Sequence, residues 1–324
     1  MRIFSGIRPT GNIHIGNYLG AIKQWIELQE KNECVFCIVD LHAITTPYNP
    51  KEIQKNILEA ATIYMAAGVN PDKSIIFVQS AVKEHAELAW LFGTITPMGE
   101  LSRMTQFKEK SKKHKDYINA GLFNYPVLMA SDILLYKAQA VPVGKDQEQH
   151  VELTRTIAKK FNQKFGKTFD EPETVLPKSG AKIMSLTDPK KKMSKTDDAK
   201  SYISLFDSPE EITKKILSSQ TDSGKDVIFN VTKKPGISNL LTIYSLISGK
   251  TIQELEKEFK DQGYGHFKKS LAEELVNYLE PFRRKQKELQ TRDVYVKELL
   301  GQGASRAKII AEATVTEVRS KMGL

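Results

Sequence analysis

Apolar and polar positions along this chain change period in a regular order. Residues 2–6 form a short apolar run that stops at Gly6, and a turn carrying Pro9 and Gly11 follows. From about Gly16 to Glu30 the spacing becomes helical, with Leu19, Ile22, Trp25, Ile26 and Gln29 on one side. Residues 35–40 are a continuous apolar strand ending in Asp40. Asn49-Pro50 opens a second helix, with proline in its first turn and Gly68 just past its end; Ile53, Ile57, Ala60, Ala61 and Tyr64 mark its buried face. Ser74–Val78 predicts a third strand, and Ser80 can cap a helix running through Trp90. This β-α-β-α-β-α order is half of a doubly wound parallel sheet with right-handed crossovers. A helix at 125–136, a strand near 139–143, a helix at 146–165 and a return to the sheet near 182–187 continue it.

After Leu205 the pattern becomes helices with short loops, at 209–219, 237–248, 251–260, 268–289 and 304–321. The expected organisation is an α/β domain at 1–205, including a connecting segment at about 97–180. A helical domain at 206–290 follows, and helices at 291–324 pack back on the first domain. Gly301-x-Gly303 lies between helices with no preceding strand and is discounted as a nucleotide motif.

A hydrophobic fraction of 40% over 324 residues supplies a real core, and mean hydropathy is −0.38. No apolar run approaches the roughly 18 residues of a membrane span. The amino terminus enters a strand without an apolar leader, which points to the cytosol. The net charge of +9 favours a polyanionic partner. Its lysines cluster at Lys108, Lys110, Lys112, Lys113 and Lys115, and again at Lys190, Lys191, Lys192, Lys195 and Lys200; a solvated loop explains either run taken alone. Cys34 and Cys37 have C-x-x-C spacing, but they sit in an apolar strand and do not open a helix. A pair cannot complete a four-ligand zinc site without other donors, so they read as core residues.

Two stretches carry the candidate chemistry. Pro9-Thr10-Gly11-Asn12-Ile13-His14-Ile15-Gly16-Asn17 places a histidine and a glycine at the mouth of a helix that follows a strand, where unpaired amides favour anions. A polar helix cap is the plain alternative for His14. Lys192-Met193-Ser194-Lys195-Thr196 follows the turn Asp188-Pro189 and offers ammonium groups for charge developing on a leaving pyrophosphate; a solvated basic loop is the alternative. Between them, Gly144-Lys145-Asp146-Gln147 lies at the carboxyl end of the strand Ala140–Val143. There Asp146 could accept from ribose hydroxyls or cap the next helix.

These stretches resemble the two signatures of the class I aminoacyl-tRNA synthetases, and the likeness is closest to the bacterial tryptophanyl family. It extends through Ser5–Gly11, Ile38–Thr45, Met104–Lys110, Met129–Tyr136, Val141–Gln147 with His150, and Pro235–Leu241, and so covers nearly the whole chain. Asn17 replaces the last histidine of the first signature, Thr196 replaces the final serine of the second, and Arg8 stands where glutamine is frequent.

The resemblance implies a Rossmann-like catalytic domain and a helical anticodon-binding domain. It also implies a homodimer whose interface comes from about 97–180, with ATP and L-tryptophan as substrates, Mg²⁺ on the ATP phosphates and tRNA(Trp) as partner. It implies phosphate stabilisation by His14, Asn17, Lys110, Lys192 and Lys195. ATP is further expected at Arg8, Pro9, Thr10, Gly16, Gly144, Lys145, Asp146, Ser194 and Thr196, with adenine on the backbone of Ile183 and Met193. No metal is expected to be ligated by the protein itself. The tryptophan slot is expected from Phe4, Gly6, His42, Met129, Ile133, Val141 and Val143, with Tyr125 and Gln147 on the α-ammonium.

Indole offers one donor and no acceptor, and the resemblance puts Asp132 on that N–H. Phe4 stands where tyrosyl enzymes carry a tyrosine that reads the substrate hydroxyl. Tyrosyl specificity, another nucleotidyltransferase and a noncatalytic RNA-binding relative are the rival readings. Phe4 opposes the first, the helical tail and full lysine loop the second, and the retained His14, Asp132 and lysines the third.

Overall fold

The apolar runs assemble into one five-stranded sheet, every pair parallel, in a computed structural model that describes residues 1–9, 13–113, 115–176, 182–195 and 197–324. The strands are β1 (Arg2–Ile7), β2 (Glu33–Ile38), β3 (Ser74–Val78), β4 (Ala140–Pro142) and β5 (Glu173–Val175), ordered β3-β2-β1-β4-β5. β1 pairs with β2 from Arg2↔Glu33 to Ile7↔Ile38, and with β4 through Ile3↔Ala140. The order reverses between β1 and β4, so the crevice for a ligand opens at their carboxyl ends.

The helices are α1 (Ile15–Asn17), α2 (Lys23–Gln29), α3 (Asp40–Ala43), α4 (Ile53–Ala66), α5 (Glu84–Gly93), α6 (Met98–Arg103), α7 (Thr105–Lys113), α8 (Ala120–Leu135) and α9 (Glu148–Phe165). The carboxy-terminal set is α10 (Pro209–Leu217), α11 (Pro235–Ser248), α12 (Ile252–Glu258), α13 (Gly263–Gln290) and α14 (Asp293–Met322).

Strand side chains alternate faces. Cys34, Phe36 and Ile38 belong to one core, which continues without a break into α10, α11 and α13. Val35 and Cys37 belong to the other, with α5, α8, α9 and α14. The hydrophobic core therefore runs on past residue 206, the boundary expected between the α/β and helical domains. Both cysteines are free and buried; burial raises the Cys34 thiol to about 11 and pushes Cys37 well up, as for inert core thiols.

Several expectations are corrected. The return to the sheet is β5, not 182–187; that segment makes an antiparallel bridge, Met184↔Lys192, outside the sheet. The helix expected at 16–30 is interrupted by a π-helical turn at Tyr18–Ile22. The second helix begins at Ile53 rather than at Pro50, and Lys83, not Ser80, occupies the cap of α5. Two helices that the pattern did not predict are α6 and α7, and α7 carries Lys108, Lys110, Lys112 and Lys113 of the first basic run. The last helix starts at Asp293, and its Gly303 lies against the backbone of edge strand β3: a Cβ there would be 1.9 Å from Ile76 O. That approach explains the glycine and covers an edge that would otherwise expose unpaired backbone groups.

Candidate active site

His14 caps α1. Its Nδ1 accepts from Asn17 N at 3.2 Å while Asn17 Oδ1 accepts from His14 N at 3.3 Å, a reciprocal capping box. The cap is thus present, and the Lys192 and Lys195 charges lie within electrostatic reach of it. Burial, then the Lys192 and Lys195 charges, push the His14 pKa down to about 4, so its imidazole is neutral at pH 7.

Backbone pairing holds the first signature against the chain that follows the second. Ile15 N donates to Ile203 O at 2.8 Å and Leu205 N to Ile13 O at 3.0 Å, which ties the first signature to the segment just after the second. Residues 183–193 form a narrow hairpin, with Met193 N donating to Ile183 O at 3.0 Å and Ser185 N to Lys191 O at 2.8 Å. Ile183 faces Gly16, where a Cβ would sit 3.4 Å from the isoleucine Cβ. Met193 is buried, Lys192 is exposed and Ser194 is half-buried. Lys195 is also half-buried, which lowers its pKa. Thr10 and Thr196 lie outside the described residues, as do Gly11 and Asn12. Pro9 is buried beside exposed Arg8 at the exit of β1.

A second group stands next to Arg8. Lys110 Nζ lies 4.1 Å from the centre of the Tyr125 ring, and burial followed by the Arg8 charge brings its pKa down to about 8. Tyr125 OH is hydrogen-bonded to His150 Nε2 at 2.9 Å. Burial, then the Lys110 charge, push His150 down to about 4, and burial raises Tyr125 to about 12, so both are neutral at pH 7. Past β4, Gly144, Lys145 and Asp146 are exposed. Asp146 does not cap α9: Gln147 occupies that position, and its Nε2 donates to Asp146 Oδ2 at 2.7 Å.

The third group centres on Asp132 of α8, whose side chain is 1% exposed. Its Oδ2 accepts from His42 Nε2 at 2.7 Å, and its Oδ1 from Gln79 Nε2 and His85 Nδ1, each at 2.6 Å. Burial alone would raise the carboxyl pKa; the His42 charge and hydrogen bond, with help from His85, outweigh it and hold it at about 2. A solvated carboxylate is thereby excluded. Phe4 stacks on Tyr136 with ring centres 5.7 Å apart, and the Tyr125 ring stands edge-on to His42 at 6.1 Å. Ile133 and Val141 are buried, Met129 and Val143 half-buried, and Gly6 is open at the end of β1.

Gln79 and His85 carry no expectation from the sequence, while Tyr136 and His150 enter there only among the residues of the family resemblance, with no role. One signal for His85 was available: His85, Leu88, Ala89 and Phe92 share a helical stripe, and a polar residue on an apolar stripe asks for a partner. Among the described residues no group of three His, Cys, Asp or Glu could hold a metal ion.

Comparison with known proteins identifies the family. The family model of class I tRNA synthetases for tryptophan and tyrosine matches residues 1–280. A tryptophan–tRNA ligase of Caldanaerobacter subterraneus is 53% identical over all of this chain and 98% of its own. One of Bacillus anthracis is 50% identical over 99% of this chain and 98% of its own. The structure of a Campylobacter jejuni tryptophanyl-tRNA synthetase, complexed with ADP and tryptophan, superimposes with a TM-score of 0.86 at 38% identity, covering both chains fully. A chain whose two signatures meet at the carboxyl ends of a parallel sheet, and which matches these enzymes from end to end, belongs to the class I tRNA synthetases of the tryptophan and tyrosine type.

Proposed function

We propose that this chain activates L-tryptophan with ATP, releasing pyrophosphate, and transfers the tryptophan to the terminal ribose of tRNA(Trp). The observation that carries the reading is the placement of His14, Lys192 and Lys195 together at the same sheet end as the buried carboxylate of Asp132.

The tryptophan carboxylate is already a nucleophile, so its in-line attack on the α-phosphate needs positioning and charge stabilisation rather than a general base. Lys192 and Lys195 act on the leaving pyrophosphate, and Lys110, beside Arg8, adds a further cation. Neutral His14 donates from Nε2, because its Nδ1 is committed as an acceptor to Asn17 N. Asn17 commits Oδ1 to the cap, so its amide Nδ2 is the part that donates to phosphate. Adenine lies on the hairpin backbone at Ile183 and Met193, near Gly16; Arg8, Pro9, Thr10, Ser194 and Thr196 flank the nucleotide. Gly144 and Lys145 line its approach, and Asp146 takes the ribose hydroxyls. Lys110, Lys192 and Lys195 at the phosphate end are cations and do not ligate Mg²⁺; the ion enters as part of the ATP substrate.

Tryptophan occupies the slot bounded by Phe4, Gly6, His42, Met129, Ile133, Val141 and Val143. Asp132 accepts the indole N–H, and Tyr125 and Gln147 hold the α-ammonium group. Residues 206–290 form the anticodon-binding region and 291–324 return to the catalytic domain. A homodimer is proposed through the 97–180 segment, extending to an apolar groove of about 710 Å³ that includes Leu41, Trp90, Ile118 and Leu128; Trp90 is 76% exposed there. No helix among the described residues is long and apolar enough to cross a membrane, and we place the protein in the cytoplasm. The test is the charging of purified tRNA(Trp) with labelled tryptophan: acid-stable label on tRNA(Trp) but not tRNA(Tyr) is expected, and its absence in folded protein would overturn the transfer step.

A further inference from the structure

The hydrogen bonds around Asp132 divide its two oxygens unequally. A carboxylate has about four acceptor sites, two on each oxygen. Oδ1 takes two donors, Gln79 Nε2 and His85 Nδ1; Oδ2 takes one, His42 Nε2. Both donors on Oδ1 are themselves held. Gln79 Oε1 accepts from Leu41 N at 3.1 Å, which fixes the amide with its nitrogen toward the carboxylate. His85 Nε2 meets Tyr136 OH at 2.7 Å, so the neutral tautomer that satisfies both contacts donates from Nδ1 to Asp132 and accepts the Tyr136 hydroxyl proton at Nε2. The His85 backbone carbonyl also takes Ser131 Oγ at 2.8 Å, tying α5 to α8 one residue from Asp132.

We infer that His85, with Gln79, is a positioning residue for tryptophan selection. By filling Oδ1 the pair leaves Oδ2 as the only oxygen with an open acceptor site, and turns that site toward His42 and the slot. This rests on the reading that Asp132 accepts the indole N–H, and adds what makes that acceptor single and directed. Neither residue touches the substrate. Loss of His85 Nδ1–H frees a second acceptor direction on Oδ1 and lets the carboxylate rotate, so preference for an N–H donor falls, while the rest of the slot still binds a flat bicycle.

The test compares kcat/KM in amino-acid-dependent pyrophosphate exchange for L-tryptophan and for its analogue with sulfur in place of the indole N–H, 3-benzothienyl-L-alanine. Four variants are used: His85→Leu, His85→Asn, Gln79→Met and Asp132→Asn. Asparagine can place its amide nitrogen where Nδ1 stood. His85→Leu and Gln79→Met are expected to erode the tryptophan-to-analogue ratio by about 10- to 100-fold, the usual worth of a hydrogen bond to a charged group. His85→Asn should keep most of it. An unchanged ratio in His85→Leu and Gln79→Met overturns the inference, and so does an equal loss for both amino acids, the mark of a merely structural role. If His85→Leu does not fold, Gln79→Met decides by the same criterion. If Asp132→Asn also leaves the ratio untouched, the indole reading of Asp132 fails with it; if only Asp132→Asn collapses the ratio, the positioning role alone is lost.

Discussion

Asn239 of α11 grips both backbone polar groups of Met184, its Oδ1 accepting from Met184 N at 2.8 Å and its Nδ2 donating to Met184 O at 2.9 Å. One side chain in the helical region thereby fixes the hairpin whose neighbouring residue, Ile183, faces Gly16. A second tether runs from Gln220 N to Leu186 O at 2.8 Å. The hairpin backbone proposed to face adenine is thus set by the helical region as much as by the sheet.

Asn239→Ala should therefore raise the KM for ATP in pyrophosphate exchange about tenfold, the scale of two lost hydrogen bonds with partners left partly exposed. Tryptophan affinity measured without ATP should stay unchanged. Equal losses for both substrates would mean that Asn239 supports general folding rather than the nucleotide side.

Lys195 lies at the end of that hairpin, in electrostatic reach of His14. Lys195→Ala should slow the single-turnover activation step by roughly 10²-fold or more, as does loss of one transition-state donor. An unchanged rate at saturating substrates would remove Lys195 from the chemistry.

Lys110 gives a pH signature. Burial and Arg8 bring its pKa down to about 8, so the free protein loses this cation as pH rises through that value. Phosphate favours the charged form, hence kcat/KM for ATP should fall on the alkaline side with a midpoint near 8. Lys110→Arg keeps its charge in that range and should abolish this limb. A profile for the unchanged protein that stays flat from about pH 7 to 9 would contradict the assignment.

Gly303 and Gly301 make a paired test of packing. A Cβ at Gly303 would meet Ile76 O at 1.9 Å, whereas nothing lies within 4 Å of one at Gly301. Gly303→Ala should destabilise by about 1–3 kcal/mol through overpacking against backbone. Gly301→Ala should stabilise by up to about 1 kcal/mol through helix propensity. Thermal unfolding of the two variants moving in the same direction would refute this account of α14 on β3.

The parts of this molecule that a reader of the sequence could see are those written locally. β2 and β3 are apolar runs after their first residue, and β1 is apolar at Ile3, Phe4 and Ile7, because parallel strands are buried on both faces. β5 was hidden: its three residues, Glu173, Thr174 and Val175, form an incompletely buried edge strand with little apolar signal. Residues 182–187 imitated a strand because Ile183 and Leu186 are buried, but they are buried as one arm of a hairpin held by α11. Both nucleotide signatures are contiguous and legible. The support beneath Asp132 is not, since Gln79 and His85 come from different turns and meet Asp132 only after the sheet brings β2, β3 and α8 together.

The most direct test of the whole account is ATP–pyrophosphate exchange without tRNA, run separately with each of the twenty amino acids. Exchange with tryptophan alone is the expected result, because it requires the joined signatures and the Asp132 slot at once. Exchange driven by tyrosine would contradict the slot, and no exchange with any amino acid in folded protein would contradict the account entirely.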